Sequence, residues 1–250
     1  MKTIEIIEPG SLESFMEEIV PVMGHHRTPI YRGSAIGAHK VLPALLRTAM
    51  KETEFGDWSE FEAALIEKFK LRGRGELKFD PISELEWHII GSHYGLPTRF
   101  TAWTENPLVA LYFATAPGKD GGIVWRLLPG NADLVATQDF QVGPEEYRIY
   151  HPRHSNPELL AQRTCFLSHP LPKLDTSPIS LEDYYENTDT KDYSMHLSKI
   201  VIGEEDKAQF RQRLSLLGVD ARSLFPGLRG LASQISAEAK FHTGSYDWVF

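Results

Sequence analysis

The sequence predicts an α+β fold, a single domain over residues 1–250 with its core at about residues 25–235. Segments with strand character and segments with helical periodicity alternate irregularly, without the regular strand–helix–strand cadence of a dinucleotide-binding fold. No linker rich in proline, glycine or serine divides the chain, and no internal repeat is present. Its 42% hydrophobic and 24% charged residues are typical of a globular protein that folds without a metal or a disulfide.

Capping residues and apolar periodicity locate the helices. Asp57, with Glu60 three residues later, matches a capping box, and Pro81 and Pro107 occupy positions typical of a first helical turn. The helix after Asp57 has an apolar stripe made of Phe61, Leu65 and Phe69. The predicted helices are 11–20, 58–70, 81–91, 107–116, 204–217 and 226–240.

Short runs of β-branched and aromatic residues between turn-forming residues locate the strands. The turn at 120–122, for example, leads directly into the apolar run Ile-Val-Trp-Arg-Leu. The predicted strands are 1–7, 28–35, 123–127, 147–150, 164–168 and 196–202. Cys165 lies in one of these strands, and we expect it to fill the core rather than to act as a nucleophile.

Composition and missing motifs exclude several function classes. The net charge of −8 disfavours a protein that coats nucleic acid by charge alone. No apolar run approaches the ~20 residues of a membrane span, and no secretion signal is visible, so a cytoplasmic protein that does not bind membranes is expected. The single cysteine and the absence of a His-Glu-x-x-His pattern predict no metal site, and no phosphate-binding P-loop is present.

Two segments carry more polar and aromatic groups than a scaffold needs. The first is Tyr-Arg-Gly-Ser at 31–34, followed by Leu-Pro-Ala-Leu-Leu-Arg at 42–47. The second, at 93–114, reads HYGLPTRFTAWTENPLVALYFA. Such loops cost stability unless their polar groups are satisfied or used. A hydrogen-bonded turn anchored by Trp103 is the simpler alternative to a binding site.

These segments resemble the FRG domain family, named for its Phe/Tyr-Arg-Gly triplet, and the likeness extends weakly to Gln162 and to Leu-Phe-Pro-Gly-Leu at 224–228. The FRG pattern in turn resembles the split-sheet ADP-ribosyltransferase fold with added helices. In that fold one core strand ends in Tyr-Arg-Gly-Thr or Tyr-His-Gly-Thr, a second in a Ser/Thr-rich motif, and a Glu or Gln opens a later strand. The resemblance therefore implies NAD as the substrate.

The resemblance also implies roles for individual residues. It makes Arg32, Thr104 and Gln162 catalytic, with Glu158 as the alternative to Gln162. It assigns NAD binding to Tyr31, Arg32, Gly33, Ser34, His93, Tyr94, Thr98, Arg99 and Trp103.

General chemistry suits these residue types. Breaking the bond between nicotinamide and ribose builds positive charge on the sugar, so the protein mainly has to fix the dinucleotide and place the acceptor. Arg32 offers a planar fork of donors for the pyrophosphate or the ribose, and Gly33 permits close backbone approach to the carboxamide. Tyr94 or Trp103 would stack on nicotinamide. Bracing loops or filling the core is the structural alternative for each of these side chains.

Four positions depart from the family pattern. Ser92 stands where the family has Gln, Ala102 where it has Asp, Glu158 where it has Arg, and Thr164 where it has Gly. The missing Asp and Arg are explained by one lost salt bridge or by altered or lost catalysis.

Two main hypotheses follow. The first is an NAD-dependent mono-ADP-ribosyltransferase that modifies RNA, DNA or protein, a bacterial toxin or antiphage effector with a neutralising antitoxin as partner. The second is a non-catalytic module that binds nucleic acid or peptide. An NAD glycohydrolase is a third alternative. For a nucleic-acid acceptor, the best basic segment holds Arg72, Arg74 and Lys78.

Overall fold

A computed structural model describes residues 2–20, 28–37, 40–48, 55–77, 79–118, 120–129, 147–153, 156–173, 176–187 and 195–241. It confirms the α+β fold class: in these residues seven strands form one mixed sheet, and helices pack on both of its faces. The strands are β1 (Glu5–Ile7), β2 (Ile30–Ser34), β3 (Phe100–Thr104), β4 (Gly122–Leu128), β5 (Arg148–Tyr150), β6 (Thr164–Ser168) and β7 (His196–Ile202). The helices are α1 (Leu12–Ile19), α2 (Trp58–Gly73), α3 (Glu84–His93), α4 (Pro107–Ala114), α5 (Pro157–Ala161), α6 (Leu181–Asn187), α7 (Lys207–Leu216), α8 (Ala221–Leu224) and α9 (Leu228–Phe241).

The sheet consists of two halves that meet between β2 and β3. The strand order is β1-β7-β4-β2-β3-β6-β5, with β1 parallel to β7 and the other neighbours antiparallel. β2 pairs with β4 from Ile30 to Ser34, and β3 pairs with β6 from Phe100 to Thr104. Between β2 and β3, the described backbone pairs only at Tyr31 and Thr104. The two strands therefore separate beyond this pair.

Side chains alternate between two faces of the sheet. The first, which we call the Tyr31 face, carries Tyr31, Gly33 and Thr104; the opposite Arg32 face carries Arg32 and Trp103. Helices α1, α4, α7 and α8 bury one half of the Tyr31 face, and α3 and α5 bury the other half around Phe100 and Phe166. Helix α6 packs on the Arg32 face through Leu181 and Tyr185.

Glycines bring α4 unusually close to the sheet. A Cβ atom at Gly33 would overlap the carbonyl oxygen of Ala110, and one at Gly122 would overlap that of Ala114. Backbone therefore packs directly on backbone here, which explains why β2 and β4 carry glycine at these positions.

Helix α2 differs from its prediction in two details. Asp57 caps it as predicted, by accepting a hydrogen bond from the amide of Glu60 at 2.8 Å. The capping box is wrong, because the Glu60 carboxylate accepts from the amide of Gly56 instead. Trp58, Glu62 and Ile66 are the buried residues of this helix, while the predicted Phe61, Leu65 and Phe69 are half-buried beside them. Phe61 and Leu65 pack against the cluster that contains Trp58. Glu62 is buried because it is the counter-ion of Arg99.

Helix α3 begins and ends later than predicted. Its cap is Ser83, whose hydroxyl accepts from the amide of Glu86, and the predicted first turn at Pro81 is not helical. Gly91 does not end the helix, which continues to His93. His93 therefore lies four residues after the buried Ile89. Helices α5, α6 and α8 were not predicted, since each has at most seven residues and shows no clear periodicity.

Candidate functional site

Arg32 lies at the point where the two halves of the sheet separate. Its Nη1 donates to the carbonyl oxygen of Ala102 on β3 at 2.6 Å, in a place where backbone pairing between β2 and β3 has ended. No carboxylate pairs with the guanidinium among the described residues. Loss of solvent around the group, and then the positive charge of Arg47, lower the pKa of Arg32 to about 10. At pH 7 Arg32 is therefore a charged, partly buried cation with most of its N–H donors available to a ligand.

A chain of hydrogen bonds lies on the same face, beside Arg32. Trp103 Nε1 donates to Thr101 Oγ1 at 2.9 Å, and Thr101 Oγ1 lies 3.0 Å from His169 Nε2. His169 is only 1% exposed, and its Nδ1 has no hydrogen-bond partner among the described residues. Burial, and then the charge of Arg32, lower the pKa of His169 to about 3, so the imidazole is neutral at pH 7.

Further polar groups on the Arg32 face are buried without partners. Within the described residues, the indole N–H of Trp125 and the hydroxyl of Tyr147 make no hydrogen bond. Trp125 is the cross-strand partner of Arg32, and the ring centroid of Tyr147 lies 5.0 Å from that of His169. Buried polar atoms are normally satisfied, but the unpartnered ones in the described residues are divided between the faces, since Tyr31 and Ser168 lie on the Tyr31 face.

A cavity opens on the same face, next to Trp125. It is an open depression of about 400 Å³, and its walls include Trp125, Lys40, Lys199, Glu182, Asp183 and Glu186. The ammonium group of Lys199 lies 5.8 Å from the centroid of the Trp125 ring. The cavity and Arg32 are therefore neighbours on one side of the sheet, because Trp125 lines the cavity and is the cross-strand partner of Arg32.

Tyr31, Gly33 and Ser34 have structural roles in β2. Tyr31 is 1% exposed in the core, and its burial raises its pKa to about 12. The absence of a Cβ at Gly33 is accounted for by the contact with α4. The hydroxyl of Ser34 donates to the carbonyl oxygen of Ile36 at 3.1 Å and thereby closes the turn after the strand. Packing and the turn therefore account for Gly33 and Ser34, whereas the buried hydroxyl of Tyr31 has no hydrogen-bond partner among the described residues.

Thr104 and Gln162 meet on the Tyr31 face, away from the side chain of Arg32. The Thr104 hydroxyl donates to the backbone carbonyl of Gln162 at 2.6 Å and accepts from the amide of Asn106. The side-chain amide of Gln162 donates to the carbonyl of Leu224 at 3.0 Å. Gln162 does precede β6, as the resemblance implied, and the three motif-bearing strands β2, β3 and β6 are neighbours. The predicted catalytic side chains are nevertheless divided between two faces.

His93 and Tyr94 form a separate cluster with α5. His93 Nε2 lies 3.6 Å from Glu158 Oε2, and the hydroxyl of Tyr94 accepts from Asn156 at 3.2 Å. Burial lowers the pKa of His93, while the charge of Glu158 acts in the opposite direction. Tyr94 is 66% exposed and forms the rim of this cluster. The register places Ala102 on the same face as this cluster, so the altered family positions 102 and 158 share one side of the sheet.

Thr98 and Arg99 brace the loop before β3. Arg99 is buried, and both its Nε and its backbone amide donate to the Glu62 carboxylate at 2.6 Å. Thr98 Oγ1 accepts from the amide of Phe100 at 3.3 Å. Arg99 is therefore engaged in an internal ion pair and makes a poor ligand for NAD.

The sequence of this region matches a known family. Residues 27–121 match the family model of the FRG domain. Over this segment the chain is similar to the FRG domain. The matched segment includes Arg32, Thr101 and Trp103, whereas His169 and the acidic residues of α6 lie outside it. No curated protein and no solved structure matches the chain.

Other candidate sites are less developed. Across the described ranges, no group of three His, Cys, Asp or Glu side chains is arranged to hold a metal ion. The same ranges include no helix long and apolar enough to cross a membrane. In the predicted basic segment, Arg74 pairs with Asp80 at 3.6 Å, and Lys78 lies outside the described residues.

Sequence reasoning missed His169, Arg47 as a neighbour of Arg32, and the Trp125 cavity. His169 directly follows β6 and precedes Pro170, so a polar residue at a strand end was the one available signal. Its approach to Thr101 depends on the pairing of β3 with β6, which joins residues sixty or more positions apart.

Proposed function

We propose that this protein is an NAD-dependent mono-ADP-ribosyltransferase, acting as a toxin or defence effector on a macromolecular acceptor. The observation that carries the proposal is Arg32, a cation without a carboxylate partner among the described residues, set where the sheet divides. A guanidinium with several available donors suits a diphosphate, since it donates two parallel hydrogen bonds to phosphate oxygens. Arg47 adds a second positive charge nearby.

The surroundings of Arg32 also suit a dinucleotide. The cavity next to Trp125 lies on the same side of the sheet and combines an aromatic residue with carboxylates of α6. Carboxylates accept hydrogen bonds from ribose hydroxyls. Glu182 already accepts from the amide of Val41 and Asp183 pairs with Lys40, so Glu186 is the acidic wall residue that would accept from the ribose. Trp125 is 4% exposed and offers little area to a base. A ligand with two nucleoside halves joined by a diphosphate fits this division into an arginine centre and a flanking cavity.

The reaction itself is a substitution at ribose. The C1′–N bond breaks, nicotinamide leaves with the bonding electron pair, and the acceptor's nucleophile bonds to C1′ and loses its proton. Positive charge develops on the sugar in between. Arg32 would fix the diphosphate so that C1′ stays in place as this bond breaks. Of the predicted catalytic side chains, Gln162 keeps its Oε1 as an acceptor, while the Thr104 hydroxyl is engaged by backbone groups.

The test is transfer of label from NAD carrying radioactive phosphorus in its adenylate half. The protein is incubated with this NAD and cell extract, and acid-insoluble label and free nicotinamide are measured. We expect labelled macromolecule with the native protein and a loss of at least about 100-fold in Arg32→Gln, because the diphosphate loses its main donor. Arg222→Gln, which changes an exposed arginine of α8, is the matched control and should act like the native protein. Neither label nor nicotinamide from the native protein would refute the proposal.

A second candidate is a binding module without catalysis. It is favoured by the engagement of Thr104 and Gln162 with backbone groups and by the absence of a carboxylate beside Arg32 in the described residues. The two functions differ in thermal shift. A ligand at 100 times its Kd stabilises the fold by about 2.7 kcal/mol, a Tm rise of roughly 5–11 °C for a chain of this size. A shift with RNA or DNA but none with NAD supports the module.

The label-transfer experiment also tests the third alternative. Free nicotinamide without labelled macromolecule identifies a glycohydrolase.

A further inference from the structure

Four side chains stand in one row across the Arg32 face of the sheet. Ile6 of β1 pairs with Lys199 of β7, Lys199 pairs with Trp125 of β4, and Trp125 pairs with Arg32 of β2. Cross-strand partners project from the same face of a sheet, so the row leads from the sheet edge to the gap beside Arg32. Neighbouring strands lie about 4.8 Å apart, so the backbones of Lys199 and Arg32 are roughly 10 Å apart.

Lys199 is the cation of the cavity next to Trp125 that a ligand can use. Lys40 lines the same cavity, but its Nζ lies 2.7 Å from both carboxylate oxygens of Asp183, which neutralises it. Lys199 makes no ion pair with a carboxylate among the described residues. Its ammonium group lies 5.8 Å from the centroid of the Trp125 ring and is attracted to the ring face. The ammonium group therefore leans over Trp125, towards Arg32.

Positive charge is concentrated at the inner end of this cavity. Glu182 and Glu186 belong to α6, which forms a wall, whereas Lys199 rises from the floor of the sheet beside Trp125. Arg32 continues the same row, and Arg47 lies near it. An anionic group placed over Trp125 therefore has cations on both sides.

We propose that Lys199 binds a second phosphate group beside the diphosphate held by Arg32, so that the preferred ligand is NADP, which carries a 2′-phosphate on its adenosine ribose. The 2′-phosphate and the diphosphate are attached to the same ribose, and the two long side chains can each reach one of them. A basic side chain at the adenosine 2′ position is a general way of accommodating NADP. Glu186 can still accept from the free 3′-hydroxyl. The inference rests on the proposed function for the assignment of the diphosphate to Arg32.

Titration calorimetry with NAD and with NADP measures the preference. We expect the native protein to bind NADP at least about tenfold more tightly than NAD, because the phosphate adds a charge-assisted hydrogen bond. Lys199→Gln should remove this preference, and Lys199→Arg should retain it. The matched control is Lys40→Gln combined with Asp183→Asn, which removes a lysine of the same cavity together with its counter-ion and should retain the preference.

Two results would overturn the inference. One is equal affinity of the native protein for NAD and NADP, a comparison that needs no variant to fold. The other is a preference for NADP that persists in Lys199→Gln.

These outcomes are separable from the proposed function. A preference for NADP that depends on Lys199, without transfer of label or release of nicotinamide from either dinucleotide, retains the phosphate site and rejects the transferase. Transfer from NAD by a protein that binds NAD and NADP equally retains the transferase and rejects the role of Lys199. A protein that binds neither dinucleotide rejects both.

Discussion

Replacing Gly33 by alanine sets a methyl group against the backbone of α4. The new Cβ would overlap the carbonyl oxygen of Ala110 and lie 2.8 Å from the amide nitrogen of Ala114. Ordinary contacts between carbon and oxygen begin at about 3.3 Å, so α4 or β2 has to move. Overpacking typically costs about 1–3 kcal/mol, and here the obstacle is backbone rather than a side chain that can rotate. We expect a loss of about 3 kcal/mol.

Urea unfolding followed by circular dichroism measures this loss, and thermal unfolding should show a Tm lower by roughly 6–12 °C. The control is Gly10→Ala, because no heavy atom lies within 4 Å of a Cβ at Gly10 and the change should cost less than about 0.5 kcal/mol. If Gly33→Ala keeps native stability but no longer binds NAD, the packing explanation is refuted, and Gly33 has the NAD-binding role that the resemblance implies.

Three further predictions concern the buried ionisable groups. Glu62→Gln removes the carboxylate that pairs with the buried Arg99, and it should lower the free energy of unfolding in urea by about 3 kcal/mol. Its control, Glu67→Gln on the exposed side of α2, should cost less than about 1 kcal/mol. Equal losses would show that the buried ion pair is unimportant. The pKa of His169 is about 3 in the folded protein and about 6.5 in the unfolded chain. Between these pH values only the unfolded chain protonates the imidazole, so the free energy of unfolding falls as the pH falls from about 6.5 towards 3. His169→Gln should remove up to about 1.4 kcal/mol per pH unit from that slope, and an unchanged slope would place a protonated imidazole in the folded protein. Burial, and then the charge of Glu105, raise the pKa of the Cys165 thiol. A disulfide reagent should therefore react with Cys165 only after the protein unfolds, and rapid reaction with the native protein would contradict its burial.

Local signals predicted most of the fold. The bounds of β6 and β7 agree with their predictions, and Ser11, Asp57 and Asn106 cap the helices that follow them. These features depend on neighbouring residues, which a sequence displays directly. The burial of Glu62 in α2 could not be predicted in this way, because its partner Arg99 comes from a distant segment.

The candidate site shows the same division. Arg32 was predicted from its triplet, and the structure adds the reason for its position, a gap between β2 and β3 that no local pattern reveals. Strand alternation explains why Thr104 and Arg32 point to opposite faces once Tyr31 and Thr104 are paired. The contribution of His169 was invisible because it arises from the pairing of β3 with β6.

A crystal structure of the protein with NAD tests the central claim most directly. We predict density for the diphosphate within hydrogen-bond distance of the Arg32 guanidinium, on the face of the sheet that carries Trp125 and His169. Nucleotide bound instead at the His93–Glu158 cluster, or no bound nucleotide at saturating NAD, would contradict the account.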